Sequence, residues 1–379
     1  MKKNNIRKMK IAMVTTQYLP VISGVSYYIK QLSEHLARLG NDVTVYTIGA
    51  KGLKDEETIN KVRIRRFLPS LKLFRGYEYV PKMTEAIIQD KPNIVNSHQY
   101  GYYPCVAGFK AAKKLCIPHI LTPVLHPPKF SFGRTFLFNV YHNFQGSFVL
   151  KSSAAILALS NYEKNTLRKF GAPDSKIEVI YNPISKEFHP STAKKEKYIV
   201  FVGPLGETKG ADVAFFIAMR IAEKLKDVKF VFVGSGHLEA KFKAESQMFG
   251  KRFVFKSGIT NSELASLFSK STVMIAPTPY EAFGRAVAES QACGTSVVAT
   301  RVGSLPEVIE DGKTGFLVEY GDWKTMEEKI IILLQNPGLA RKLGMNAAKS
   351  MKRFSENAFV EKHLSIYRKC LGNYSETTK

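Results

Sequence analysis

Two carboxylates, Glu281 and Glu289, have the types and spacing to do chemistry together. They flank Ala-Phe-Gly-Arg-Ala-Val-Ala in the run that begins Pro277-Thr-Pro-Tyr-Glu281. The apolar residues Val273 to Ala276 predict a buried parallel strand ending in a Pro-rich turn. Phe283 to Ala292 then predict a helix, closed by Cys293-Gly294 with the glycine in the capping place. Glu281 would sit just ahead of the helix N-terminus, where free backbone N–H groups favour anions. Glu289 would lie roughly 12 Å further along the axis at 1.5 Å per residue. That separation suits a ligand carrying a hexose at one end, a diphosphate in the middle and a ribose at the other.

The elements that must position these residues alternate along the whole chain. In the first half, Lys10–Thr16 and Asp42–Thr47 predict strands on either side of a helix over Ser26–Leu39, which Gly40 ends. Short strands follow at Asn93–Ser97, His119–Thr122 and Ala155–Leu159. In the second half, Lys197–Val202, Lys229–Val233, Val273–Ala276 and Ser296–Ala299 are apolar and rich in β-branched residues, with helical segments such as Val213–Leu225 between them. Alternating strands and helices give parallel sheets covered on both faces. The fold expected is α/β, with two doubly wound Rossmann-like domains facing across a cleft. The polar, proline-bearing stretch Tyr181–Glu196 marks the boundary, with domains over 1–185 and 186–355 and a closing helix over 356–379.

Composition narrows the class. A chain of 379 residues with 45% hydrophobic content is large enough for two cores. No apolar run approaches the length of a membrane span, and Ile11–Val14 is too short for a signal-peptide core. Cys105, Cys116, Cys293 and Cys370 have neither metal nor disulfide spacing, which fits a cytoplasmic protein. The net charge is +24, and residues 1–190 hold 28 Lys+Arg against 12 Asp+Glu, a balance of +16. Such a surface attracts polyanions. No zinc knuckle, RNP-type signature or helix-turn-helix pattern points to specific nucleic-acid binding.

The segment around Glu281 and Glu289 resembles the E-x7-E region of retaining glycosyltransferases of family 4. Glu-Ala-Phe-Gly, Glu289-Ser-Gln-Ala-Cys-Gly294 and Val302-Gly303-Ser304 through Gly312-Lys-Thr-Gly315 continue the match. Weaker likeness covers Pro20–Val25 and Asn93–His98, and the chain is similar to phosphatidylinositol-type or cell-envelope glycosyltransferases. The resemblance implies a GT-B fold with the ligand site at the C-terminal ends of both sheets, and a last helix over Glu356–Cys370 returning to the first domain. It implies a UDP- or GDP-sugar donor, with no separate cofactor; the chain has no Asp-x-Asp, so no metal is expected. Glu281, with the backbone of Phe283 and Gly284, would hold the hexose, and Glu289 the ribose. Lys209, in Gly203-Pro-Leu-Gly-Glu-Thr-Lys209-Gly210, would neutralise the leaving phosphate. The family commonly has an arginine after the first glycine of this loop; this chain has Pro204, which donates nothing, so Arg285, Arg301 or another cation would have to substitute. Gly24, preceded by Ser23 where a glycine pair is usual, would let the backbone approach the diphosphate. His98 would orient the hexose from a strand end, and His126 is a weaker candidate on the acceptor side. Gly234 and Gly236 would form a second glycine loop, and Ile259 would line the base pocket.

Two segments concern the acceptor. Lys61–Arg75 interleaves cations with apolar residues, and Phe130–Leu150 is dense in aromatics. Both suit an anionic membrane surface. The expectation is therefore metal-independent hexosyl transfer to a lipid or cell-envelope glycan, with peripheral seating on the inner face of the membrane. Two alternatives stay open: a sugar-nucleotide epimerase, which donor alone would reveal, and a noncatalytic binding homologue, which Pro204 favours and turnover would exclude.

Overall fold

A computed structural model describes residues 8–21, 23–74, 77–125 and 138–377. The chain divides into two compact units, one of residues 1–181 with 359–379 and the other of residues 182–358.

In the first unit, β1 (Lys10–Thr15), β2 (Asp42–Ile48), β3 (Glu56–Ile59), β4 (Val62–Phe67), β7 (Ile94–His98), β8 (His119–Thr122), β9 (Ala155–Ala158) and β10 (Ile177–Val179) form one sheet. Its order is β10-β9-β8-β7-β1-β2-β4-β3, parallel except at the β3–β4 edge. A small hairpin of β5 (Leu71–Phe74) and β6 (Tyr77–Tyr79) stands apart. β1 and β7 are central and buried almost throughout, as continuous apolar runs in covered parallel sheets must be. The helix Gly24–Arg38 follows β1 and is opened by a capping box between Ser23 and Ser26. Ser23, which stands where a glycine was expected by resemblance, therefore satisfies the helix start.

The second unit has the strands β11 (Glu196–Val202), β12 (Lys229–Val233), β13 (Phe253–Lys256), β14 (Ser271–Ala276), β15 (Ser296–Thr300) and β16 (Phe316–Val318). They lie in the order β13-β12-β11-β14-β15-β16, and every pairing is parallel. The helix Ala211–Lys224 packs Phe215, Ile217 and Ile221 into the same core as Phe201, Phe230 and Val273. Both units are Rossmann-like.

The closing helix runs from Glu356 to Thr377, past the Cys370 end of the stretch that the resemblance implies. Phe359, Val360, Leu364 and Tyr367 are buried in the core of the first unit with Ile11, Ile29 and Leu32. Polar ties accompany this packing. Asn96 Nδ2 donates to Tyr367 Oη at 2.6 Å, and Thr122 Oγ1 donates to Asn96 Oδ1 at 3.1 Å. His363 Nδ1 lies 2.8 Å from the Phe359 carbonyl, which can only accept, so Nε2 accepts from Tyr28 Oη at 2.8 Å.

Candidate functional site

In the second unit the site grows from the ends of β11 and β14. After β11 the chain turns through Gly203–Gly206 and a short 3-10 turn, Glu207–Lys209, into the helix Ala211–Lys224. Gly210 takes φ 72°, and a Cβ there would stand 2.2 Å from the Pro277 carbonyl oxygen. Only glycine lets the two loops approach so closely, and this approach delivers Lys209 to Glu281. Lys209 Nζ lies 2.7 Å from Glu281 Oε2, with the side chains 34% and 18% exposed.

Glu281 is held by backbone rather than by its own side chain. Thr300 Oγ1 donates to the Thr278 carbonyl at 2.6 Å, and Thr278 Oγ1 donates to Tyr280 O at 2.7 Å. Ser304 N donates to Glu281 O at 3.1 Å. Gly303, at φ 55°, abuts that same carbonyl, where a Cβ would come within 2.0 Å. Gly284, at φ 83°, is the cap from which the helix Arg285–Ala292 departs. That start is two residues later than the periodicity predicts, because Phe283 instead buries its ring edge-on against Phe354 at 5.4 Å. Gly294, at φ 74°, stands just past the end of the helix, as expected.

Glu289 is buried on that helix, and Arg285 Nε reaches its Oε1 at 2.6 Å. Burial raises its carboxyl above the ordinary value, against the pull of Arg285. The E-x7-E segment thus places two carboxylate–cation pairs, Lys209–Glu281 and Arg285–Glu289, eight residues apart at the carboxylates. The space among Lys209, Thr278, Glu281 and Gly284 is only about 30 Å³. Arg301 is engaged elsewhere, with Asp311 at 2.6 Å and Glu319 at 3.0 Å.

Gly234 and Gly236 have a packing explanation. A Cβ at Gly234 would meet Gly203 O at 2.0 Å, and one at Gly236 would meet Leu205 O at 2.2 Å. The second glycine loop is therefore the bed on which the Lys209 loop rests. Ile259 follows the positive-φ Gly258 and lines a separate open cleft with Tyr198, Lys256 and Ser262.

In the first unit, Gly24 opens the helix that follows β1, and His98 ends the neighbouring strand β7. Nothing would come within 4 Å of a Cβ at Gly24, so the fold does not demand glycine there. His98 ends β7, but its ring is enclosed rather than lining an open crevice. It sits edge-on to Tyr28 with centroids 5.7 Å apart, and neither ring nitrogen has a hydrogen-bond partner. Burial, helped by nearby His363, pushes its imidazole down to about 3. Next to it, Gln99 adopts φ 66°, a strained place for a side chain of this kind. Its Oε1 accepts from Thr15 Oγ1 at 3.1 Å, Thr16 N at 3.1 Å and Thr16 Oγ1 at 2.5 Å, which clamps the ends of β1 and β7. Sequence reading missed Gln99, since its partners lie 83 and 84 residues away. His126 and Arg75 fall outside the described residues, as does the part of Phe130–Leu150 before Phe138.

In the basic run at Lys61–Arg75, the three arginines of β4 are paired within the fold. Arg63 pairs with Glu56 at 2.7 Å and Arg65 with Asp90 at 2.8 Å. Arg66 is buried, with Glu57 at 2.5 Å and the carbonyls of Lys54 and Leu19 as partners. These arginines hold β3, β4 and their surroundings together. No helix among the described residues is long and apolar enough to cross a membrane.

Comparison with known proteins agrees with this architecture. Residues 22–188 match the model of glycosyltransferase family 4, and residues 184–350 that of glycosyl transferases group 1. An uncharacterized glycosyltransferase of Methanocaldococcus jannaschii is 30% identical over 366 residues, covering 92% of this chain and 94% of its own. The chain belongs to the GT-B glycosyltransferases of family 4 type and is an enzyme of that class. Among solved structures, a sucrose-phosphate synthase from Thermosynechococcus elongatus superposes with a TM-score of 0.79 at 19% identity, over 97% of this chain and 100% of that one. Anabaena HepE in complex with UDP-glucose does so with a TM-score of 0.73 at 16% identity, over 96% and 100%. At these identities the likeness speaks to the fold.

Proposed function

We propose that this glycosyltransferase moves a hexose from a UDP- or GDP-sugar to a hydroxyl of a lipid or cell-envelope glycan, with retained anomeric configuration and without a metal. The observation that carries the reading is the pair of carboxylate–cation couples in the second unit, Lys209–Glu281 and Arg285–Glu289. A diphosphate arriving at Lys209 draws the ammonium from Glu281, which frees that carboxylate to accept hexose hydroxyls. The backbone N–H groups of Phe283 and Gly284 serve the same end of the donor. Ribose hydroxyls donate to Glu289. Pro204 leaves the loop one cation short, and Arg285, which stands beside the E-x7-E carboxylates and pairs with Glu289 there, takes up the deficit.

Charge on the leaving phosphate grows toward the transition state, so Lys209 acts where binding accelerates the reaction. In same-face transfer that phosphate takes the acceptor proton as the new glycosidic bond forms, and no protein base is assigned. The UDP-glucose held by Anabaena HepE supports a donor of this type, and a lipid-borne acceptor places the enzyme at the cytoplasmic membrane face.

The test has two stages. A thermal-shift series with UDP, GDP and their sugars should show stabilisation by one nucleotide by mass action. Product analysis by NMR should then show retained configuration with turnover unaffected by EDTA. An inverted product would sink the mechanism. Stabilisation by none of the nucleotides would sink the donor assignment.

A further inference from the structure

Between Asp90 and Glu163 the chain carries seven Lys or Arg and no Asp or Glu. Within that stretch, helical backbone runs over residues 138–152, with a π-turn at His142–Gly146 in its middle. One side is anchored: Phe138, Val149 and Leu150 are buried with Tyr100, Cys105 and Leu121. The other side shows Val140, Phe144 and Phe148 at four-residue intervals, 38%, 84% and 51% exposed. Residues so spaced share one face of a helix. Cations stand beside it. Lys113 Nζ lies 5.1 Å from the Phe148 ring centroid, and Lys151 is exposed in the last turn of the same helix. Three apolar side chains in line, set among cations with no carboxylate on their own stretch, match a surface that is greasy at depth and anionic at its rim. A second copy of this chain is the poorer occupant, because it would set these cations against their copies on molecules of net charge +24.

We propose that the face of Val140, Phe144 and Phe148 is where the protein seats on an anionic bilayer, the rings entering the acyl boundary while Lys113 and Lys151 meet headgroups. This deepens the reading of a lipid-borne acceptor and rests on it for its purpose, though the binding itself needs no acceptor.

Vesicles of phosphatidylcholine alone, and with phosphatidylglycerol added, test it by co-sedimentation. Wild-type protein should partition onto the anionic vesicles in a salt-reversible way. The double variant Phe144→Ser/Phe148→Ser should partition roughly tenfold less or worse, with an unchanged melting temperature and unchanged response to nucleotide. Lys113→Glu/Lys151→Glu should lose the preference for anionic lipid. Tryptophan emission of Phe144→Trp, against the wild-type background of Trp323, should shift to the blue on anionic vesicles and be quenched by brominated acyl chains. The proposal is overturned by absence of wild-type binding, by binding that survives the serine variant, or by emission from the introduced indole that brominated chains leave unquenched. Self-association lost in the serine variant, without vesicle binding, would make the face a homotypic interface instead. Loss of nucleotide response with vesicle binding intact would sink the donor reading and leave this one standing.

Discussion

Glu281 and Glu289 each face a cation, and the two substitutions should separate by step. Glu289→Ala removes a buried acceptor and leaves Arg285 without its 2.6 Å partner. Donor affinity should fall by roughly 1.5–3 kcal/mol, tenfold or more, as isothermal titration with the cognate nucleotide would show; unchanged affinity in a folded variant refutes the ribose role. Lys209→Ala should instead reduce kcat far more than it changes donor KM, because the charge it meets is greatest in the transition state. The glycines separate function from fold in the same way. Gly24→Ala meets open space and should change stability by no more than about 0.5 kcal/mol, so any loss of donor affinity is a loss of close approach. Gly234→Ala would drive a Cβ to within 2.0 Å of Gly203 O and should cost about 2–4 kcal/mol of stability. Equal melting temperatures for the two variants would contradict the contrast.

At the scale of elements, the parts legible in the sequence were those fixed by local pattern. The strand Ser271–Ala276, its turn and the helix to Ala292 follow from an apolar run, prolines and a terminal glycine, all within a few residues of one another. The likeness to family 4 added Lys209, whose approach to Glu281 spans 72 residues and leaves no local trace. Where the reading was incomplete, distant partners decided. Arg63, Arg65 and Arg66 looked like a free basic face because Glu56, Glu57 and Asp90 reveal themselves as partners only once β3, β4 and the helix Pro81–Asp90 are folded. The ring of His98 looked accessible because nothing near it in sequence announces that Tyr28 and the closing helix cover it. That helix supplies a prediction of its own. Tyr367 is fully buried on it and shares a hydrogen bond with Asn96. Tyr367→Phe strands a buried amide donor and should cost about 1–3 kcal/mol, whereas removing residues 359–379 strips Phe359, Val360 and Leu364 from the core and should leave the first unit unable to fold. A truncated protein with an unchanged calorimetric profile would show the helix to be dispensable.

At the scale of the molecule, the two units should respond differently to acid, because the buried titrating groups with large shifts are unevenly shared. His98, His119 and His363 all lie in the first unit, where burial lowers their imidazoles to about 3, about 3 and about 4. Unfolded histidine titrates near 6.5, so between that pH and about 4 the unfolded chain binds up to three more protons at these sites, and stability falls as pH falls. Glu163 acts in the opposite sense. Burial raises its carboxyl to about 7 despite bonds from the backbone N–H groups of Leu125 and Leu159, so the folded state takes up one proton that the unfolded state does not hold until lower pH. Three histidines against one carboxyl leave a net of two protons, or roughly 2–3 kcal/mol lost between pH 6.5 and 5. Scanning calorimetry should show the transition of the first unit moving down by roughly 5–10 °C over that interval, while that of the second moves less. His363→Gln should reduce the slope by about one proton and spare the second unit. Parallel movement of both transitions would mean that these imidazoles are not held neutral in the folded protein.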